Sequence, residues 1–227
     1  MPKPDLAPEP PDVATTFLLA EHSRLCELYL STRETAERRV TLFLTLTTTI
    51  VGVSVALYQL RLPLTQMLET GIVSALGIFF LGITTYHRLL ERGMQSTEYL
   101  RAINRIHHYF IERAPETEPY LFWAAYDNIP HYDPRGVGGA ETREVILLID
   151  CVFFGLAVGG VIVLIDLNLI PLAIIAGLIA FGISLIAHQR YERFMLDREE
   201  KRKSALVRYP LPPDRHPITG QQLTTNE

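Results

Sequence analysis

Residues 145–187 carry two apolar runs separated only by Asp166-Leu167-Asn168-Leu169. Each run is close to the roughly 20 helical residues needed to cross the hydrocarbon core of a bilayer. Two such runs joined by four residues read as a transmembrane hairpin. One acid, Asp150, lies inside the first run.

Composition matters here through its distribution. The 48% of apolar residues among 227 would suit a soluble protein, but most of them fall into four blocks with polar segments between. The net charge of −4 gives no reason to expect nucleic acid. Cys26 precedes the first block and Cys151 lies within the third, which argues against a disulfide between them. The first apolar block starts near Thr41, too deep for a secretory signal peptide, and neither end carries a lipidation signal.

Residues 1–12 are proline-rich and expected to be disordered. Over 13–40, Leu18, Leu25, Tyr29, Ala36 and Val40 recur at steps of four and seven, which predicts an amphipathic helix leading straight into the first span. Such a helix either packs on a neighbour or drives oligomerisation. Residues 41–86 form the first hairpin, with spans at 41–60 and 71–86. Thr41, Thr45, Thr48 and Gly52 share one face of the first span, a pattern of close helix packing or of a pore lining. Gly71, Ser74, Gly77 and Gly82 give the second span small positions that let neighbours approach.

The insert 87–144 continues as a helix to Arg113, with Tyr99, Ile103, Ile106 and Phe110 in one apolar stripe, and stops at Ala114-Pro115. A compact apolar cluster, Tyr120-Leu121-Phe122-Trp123, and a loop rich in Pro and Gly follow. The second hairpin is 145–187, a charged helix runs over 188–209, and 210–227 forms a loose tail. Lys201-Arg202-Lys203 either pair with neighbouring acids or touch anionic headgroups.

Orientation follows from basic residues. Five precede the first span, one lies between spans 1 and 2, seven in the insert, none between spans 3 and 4, and eight after span 4. This predicts both termini and the insert on the cytosolic side of an inner (plasma) membrane. An internal repeat is also visible. His87, Glu91, Arg92 and Met94 leave span 2 as His188, Glu192, Arg193 and Met195 leave span 4, at a constant offset of 101. Both copies point the same way, so the repeat is parallel.

Asp150 is the most unusual residue. It sits about 7–9 Å into its span at 1.5 Å per residue, where a carboxylate costs a few kcal/mol unless hydrated or paired. The span entries, Arg38-Arg39-Val40 and Arg143-Glu144-Val145, repeat at an offset of 105, which gives Thr45 as its counterpart; Thr84, Thr85 and Ser184 lie at similar depth, and His87 and His188 stand just beyond. The candidate polar cluster is therefore Asp150, Thr45, Thr84, Thr85, Ser184, His87 and His188. It serves an ion or proton site, or a structural hydrogen bond between helices. Gly155 and Gly159, with Ala173, Gly177, Ala176 and Ala180, form small faces suited to helix packing.

His107-His108 with Glu112, and His131-Tyr132-Asp133, lack a clear third ligand, so no metal site and no cofactor are expected. Residues 136–139 neither follow a strand nor end in Lys-Ser/Thr, and no nucleophile–base set is present.

The unit of amphipathic helix, two-span hairpin and following helix resembles the SLATT-like small helical membrane effectors of prokaryotic conflict systems. Glu37-Arg38-Arg39 before span 1 and residues 87–92 after span 2, repeated from Arg143 and His188, carry the resemblance. It implies a non-enzymatic effector that oligomerises and disrupts a membrane when a partner activates it. Two hairpins instead of one, and no fused nucleotide sensor, depart from that pattern. The sequence thus predicts an all-α, four-span membrane protein, forming a homo-oligomer in the lipid bilayer, with a cytosolic protein partner. Its function is that of a pore-type or signal-responsive effector, a small ion or proton channel or transporter built on Asp150, or a scaffold.

Overall fold

A computed structural model describes residues 12–60, 63–121, 125–134, 137 and 139–212. These form four long helices: α1 (Val13–Gln59), α2 (Leu64–Arg113), α3 (Ala140–Ile165) and α4 (Ile170–Ser204). Two short 3-10 helices, Pro115–Tyr120 and Leu167–Leu169, complete the elements, and no strand occurs among the described residues. The terminal segments 1–11 and 213–227, and the aromatic pair Phe122-Trp123, lie outside the described residues.

Local chemistry sets the helix ends. Asp12 caps α1, its carboxylate accepting from the Ala14 amide at 3.3 Å. Ala114 leaves the helical region ahead of Pro115, which ends α2. Gly139, with φ of 79°, supplies the left-handed residue from which α3 starts, five residues earlier than Val145. Asp166 turns the chain between α3 and α4 by accepting from the Asn168 amide at 2.9 Å, and Pro171 occupies the first turn of α4. The charged helix expected to reach Tyr209 ends at Ser204.

Each of the four helices contains an 18-residue window of mean hydropathy between 1.8 and 2.6, enough by length and composition to cross a membrane. Large apolar side chains cover the outward faces, among them Leu148, Val152 and Leu156 on α3 and Ile174, Leu178 and Ile183 on α4. In water this surface would be costly; in lipid it is the surface a spanning helix presents.

Contacts divide the chain into two units. Among the described residues, one contains 12–31, 99–121, 125–129 and 208–212. Its apolar core joins Leu18, Leu25 and Cys26 of α1 to Tyr99, Ile103, Ile106 and Phe110 of α2, so the two stripes visible in the sequence meet each other. His22 Nε2 and His107 Nε2 face one another across this core at 3.1 Å. Asp127, fully buried, closes the unit: it accepts from the Arg208 and Tyr209 amides at 3.0 and 2.9 Å and from Arg105 at 2.7 Å. Burial alone would raise the Asp127 pKa, but these donors together hold it below the usual carboxylate range. Tyr209 is therefore part of a strap, its ring stacked 4.0 Å from that of His108.

The second unit, residues 32–98 and 130–207, holds the four apolar helical segments. Its main core packs Phe43 of α1, Ile78, Tyr86 and Leu89 of α2, and Ile146, Leu147 and Cys151 of α3, with Phe181 and Leu185 of α4 against them. A smaller cluster, Leu90, Tyr132, Val137 and Leu196, seats the loop before α3 on α2 and α4. Lys203 pairs with Glu98, and Arg202 with Glu199, so these two members of the basic run have partners within the protein.

Candidate functional site

The α3–α4 contact depends on missing side chains. A Cβ on Gly155 would lie 2.7 Å from the Gly177 carbonyl oxygen, and one on Gly177 would lie 2.9 Å from that of Gly155. Gly159 approaches the Ala173 carbonyl in the same way, at 3.0 Å. Ala173 and Ala180 are buried, and Ala176 is half-buried beside them. This close approach fixes the rotation of α3 against α4 and turns Asp150 towards His188.

Asp150 is 0% exposed. His188 Nε2 lies 3.3 Å from its Oδ2, with the histidine side chain 12% exposed. Neither carboxylate oxygen accepts a well-directed hydrogen bond. On the far side of its ring, His188 Nδ1 sits 2.9 Å from the Ser184 carbonyl oxygen, one turn back along α4. Ser184 Oγ is 3.4 Å from the same nitrogen, and Cys151 Sγ is 3.5 Å from Ser184 Oγ.

The third wall is α2. Gly82 passes so close that a Cβ there would meet Asp150 Oδ1 at 1.9 Å. One turn further along α2, the Tyr86 ring meets the His188 ring edge-on at 5.3 Å between centroids. The Tyr86 hydroxyl donates to Glu192 Oε2 at 2.8 Å. Glu192 also accepts from Arg143, which is 2% exposed, at 3.0 Å, while Arg143 donates to the Pro134 carbonyl at 3.0 Å. The buried polar groups thus run from Asp150 and His188 past Tyr86 to Glu192, Arg143 and the loop before α3.

Comparison with protein-family models, curated proteins and solved structures finds no match. The chemistry of this chain is therefore read from its own residues.

Of the residues singled out in the sequence, Asp150, His188 and Ser184 come together. Thr85 is buried nearby on α2 but its hydroxyl donates to the Leu81 carbonyl at 2.7 Å. Thr84 is exposed and bonds the same carbonyl. His87 pairs with Glu91 of its own helix at 3.7 Å. Thr45 is exposed on the outward face of α1, its hydroxyl 2.8 Å from the Thr41 carbonyl. The repeat-related positions Thr45 and Asp150 consequently have unlike surroundings. Thr48 likewise bonds its own helix, and Gly52 has open space around it, so this face of α1 packs on nothing within the chain.

Two site residues, Tyr86 and Arg143, carry no pattern in the sequence that marks them for the site. Of the small positions on the second span, Gly82 meets Asp150, whereas Gly71 and Gly77 have open space around them. Depth could have separated it, since Gly82 lies near the level of Asp150. No group of three or more metal-ligating side chains occurs among the described residues. His108 pairs with Glu112 at 3.8 Å and His131 with Glu200 at 3.8 Å, two separate contacts.

Proposed function

We propose that the chain is a non-enzymatic, multi-pass protein of the inner (plasma) membrane whose four-span bundle is a responsive element governed at Asp150. In this reading both termini and the insert face the cytosol. The bundle opens a path for small ions when the Asp150 cluster changes state, as a signal-responsive effector or small channel would. The observation that carries the reading is a fully buried carboxylate 3.3 Å from a histidine nitrogen, in a segment apolar enough to span a bilayer. An ionisable pair buried in such a segment costs free energy that well-packed apolar side chains would not. An ionisable residue inside a span is a candidate working group.

The test is ion flux through the purified protein in sealed vesicles, comparing wild type with Asp150→Asn. The expected result is a change in flux of at least about tenfold, the size of a 1.4 kcal/mol difference, with helicity and elution volume unchanged. Equal flux in a folded variant would leave Asp150 a structural residue and the protein a scaffold.

An oligomeric pore is a second reading, and α1 supports it. Thr41, Thr45, Thr48 and Gly52 form an outward face of small and hydroxyl groups, suited to contact with a second copy. The mass of the nanodisc-embedded protein, by light scattering, tests it: a defined oligomer supports a pore between copies, and a monomer removes it.

A further inference from the structure

The contacts of His188 specify what the site holds. We infer that Asp150 and His188 together bind a single proton, held between Nε2 and Oδ2, and that this proton is the species the bundle responds to. The inference rests on the reading of the bundle as a responsive element and names its ligand.

The tautomer comes first. A carbonyl oxygen can only accept, so the 2.9 Å contact with the Ser184 carbonyl requires a hydrogen on His188 Nδ1. Nε2 is then the nitrogen that faces Asp150, at 3.3 Å from Oδ2. With no proton between them, two lone pairs would face each other and the buried pair would carry a net charge of −1. With two protons, two hydrogens would collide and the pair would carry +1. With one, the pair is neutral overall, either as imidazolium and carboxylate or as imidazole and carboxylic acid. In a low-dielectric interior the neutral pair is the state that costs least.

The surroundings isolate this proton. On α2 the titratable neighbour is Tyr86, whose hydroxyl is committed to Glu192. On α3 the neighbours are Cys151 and Arg143, the latter bound to Glu192. On α4 it is Glu192 itself, already holding Tyr86 and Arg143. The side chains of α1 packed into this core, Ala36, Val40, Phe43 and Ile50, carry no titratable group. Gly82 closes on Oδ1, leaving no room for even a methyl group on that side. Release of the proton to water breaks the Nε2–H or Oδ2–H bond and leaves a neutral imidazole with a bare carboxylate. That net charge draws water into the bundle, and the change in hydration is what couples the proton to an open state.

The experiment is nitrogen-15 NMR of histidine-labelled full-length protein in nanodiscs, with His188→Gln identifying the His188 signals. Wild type is expected to show Nδ1 protonated at neutral pH and Nε2 displaced well away from the bare-nitrogen position. In Asp150→Asn, Nε2 should move to the ordinary bare position while Nδ1 keeps its hydrogen. A wild-type spectrum with Nδ1 bare, or an Nε2 signal indifferent to Asp150→Asn, overturns the shared proton. The wild-type spectrum decides the tautomer even if the variant does not fold. The readout is independent of flux. A shared proton in a bundle without flux leaves this inference standing and removes the ion path, and flux that depends on Asp150 beside a bare Nε2 does the reverse.

Discussion

Gly82 and Asp150 are fitted to each other: a Cβ on Gly82 would overlap Asp150 Oδ1 at 1.9 Å, far inside van der Waals contact. The carboxylate is confined on that side by the bare backbone of α2, and on the other by His188. Gly82→Ala should therefore push the carboxylate off its position or separate α2 from α3, at the 1–3 kcal/mol typical of overpacking or above. At about 2–4 °C per kcal/mol for a chain of this size, the melting temperature in detergent should fall by roughly 2–12 °C or more. Gly77→Ala, where the new Cβ meets nothing within 4 Å, should leave it unchanged. Equal melting temperatures for the two variants would contradict the packing.

The α3–α4 interlock makes a similar prediction with its own control. Gly155→Ala brings a methyl group 2.7 Å from a backbone carbonyl that cannot move aside as a flexible side chain would. A loss of about 2 kcal/mol is expected, seen as a lower melting temperature and a broadened His188 signal. Gly182→Ala, on the same hairpin but in open space, should behave as wild type.

These glycines mark how far the sequence could be read. Four apolar segments, and the small faces of Gly155, Gly159, Ala173 and Gly177, follow from periodicity along single helices. So do the two stripes that meet in the other unit, at Leu25 and Ile103. What periodicity within one helix does not contain is the rotation of one helix against another. That rotation separates Gly82, which seats Asp150, from Gly77, which touches nothing. It also faces Thr45 outward and pairs His22 with His107, 85 residues apart. Asp127 was hidden for a different reason: its donors are the amides of Arg208 and Tyr209, and no side-chain pattern announces a backbone donor.

Asp127 should hold the strap in a pH-dependent way. Its folded pKa lies below that of the unfolded chain, so the folded state binds fewer protons. Its contribution is then complete above the ordinary carboxylate pKa of about 3.9 and is lost as the pH falls through the lower folded value. Amide exchange at Arg208 and Tyr209, corrected for intrinsic rates, should be flat from about pH 8 to 5 and rise below about pH 4. Asp127→Asn, which removes a buried charge from Arg105 and two amides, should cost about 3 kcal/mol and expose both amides at neutral pH. Protection that survives in the variant would contradict the clamp.

His107 titrates in the opposite part of the scale. Burial, then the charge of a protonated His22, push its pKa below the usual histidine value. The unfolded chain thus binds more protons than the folded one below about pH 6.5. The stability that His107 contributes is complete above that pH and declines as the pH falls from it through the lowered folded value. Exchange in the 99–110 segment of α2 should therefore increase between about pH 7 and 5, and His107→Phe should abolish that increase. A wild-type segment equally protected at both ends of the range would contradict the pairing.

The central claim is that the Asp150–His188 pair is the working site of the bundle. The most direct measurement is the pH dependence of ion flux across sealed vesicles for wild type, Asp150→Asn and His188→Gln, each checked for helicity and elution volume. Wild-type flux should change as the pH is moved through the titration of the pair, and each variant, left with a single titratable partner, should move or lose that change. A folded Asp150→Asn variant with the wild-type pH profile would contradict the claim.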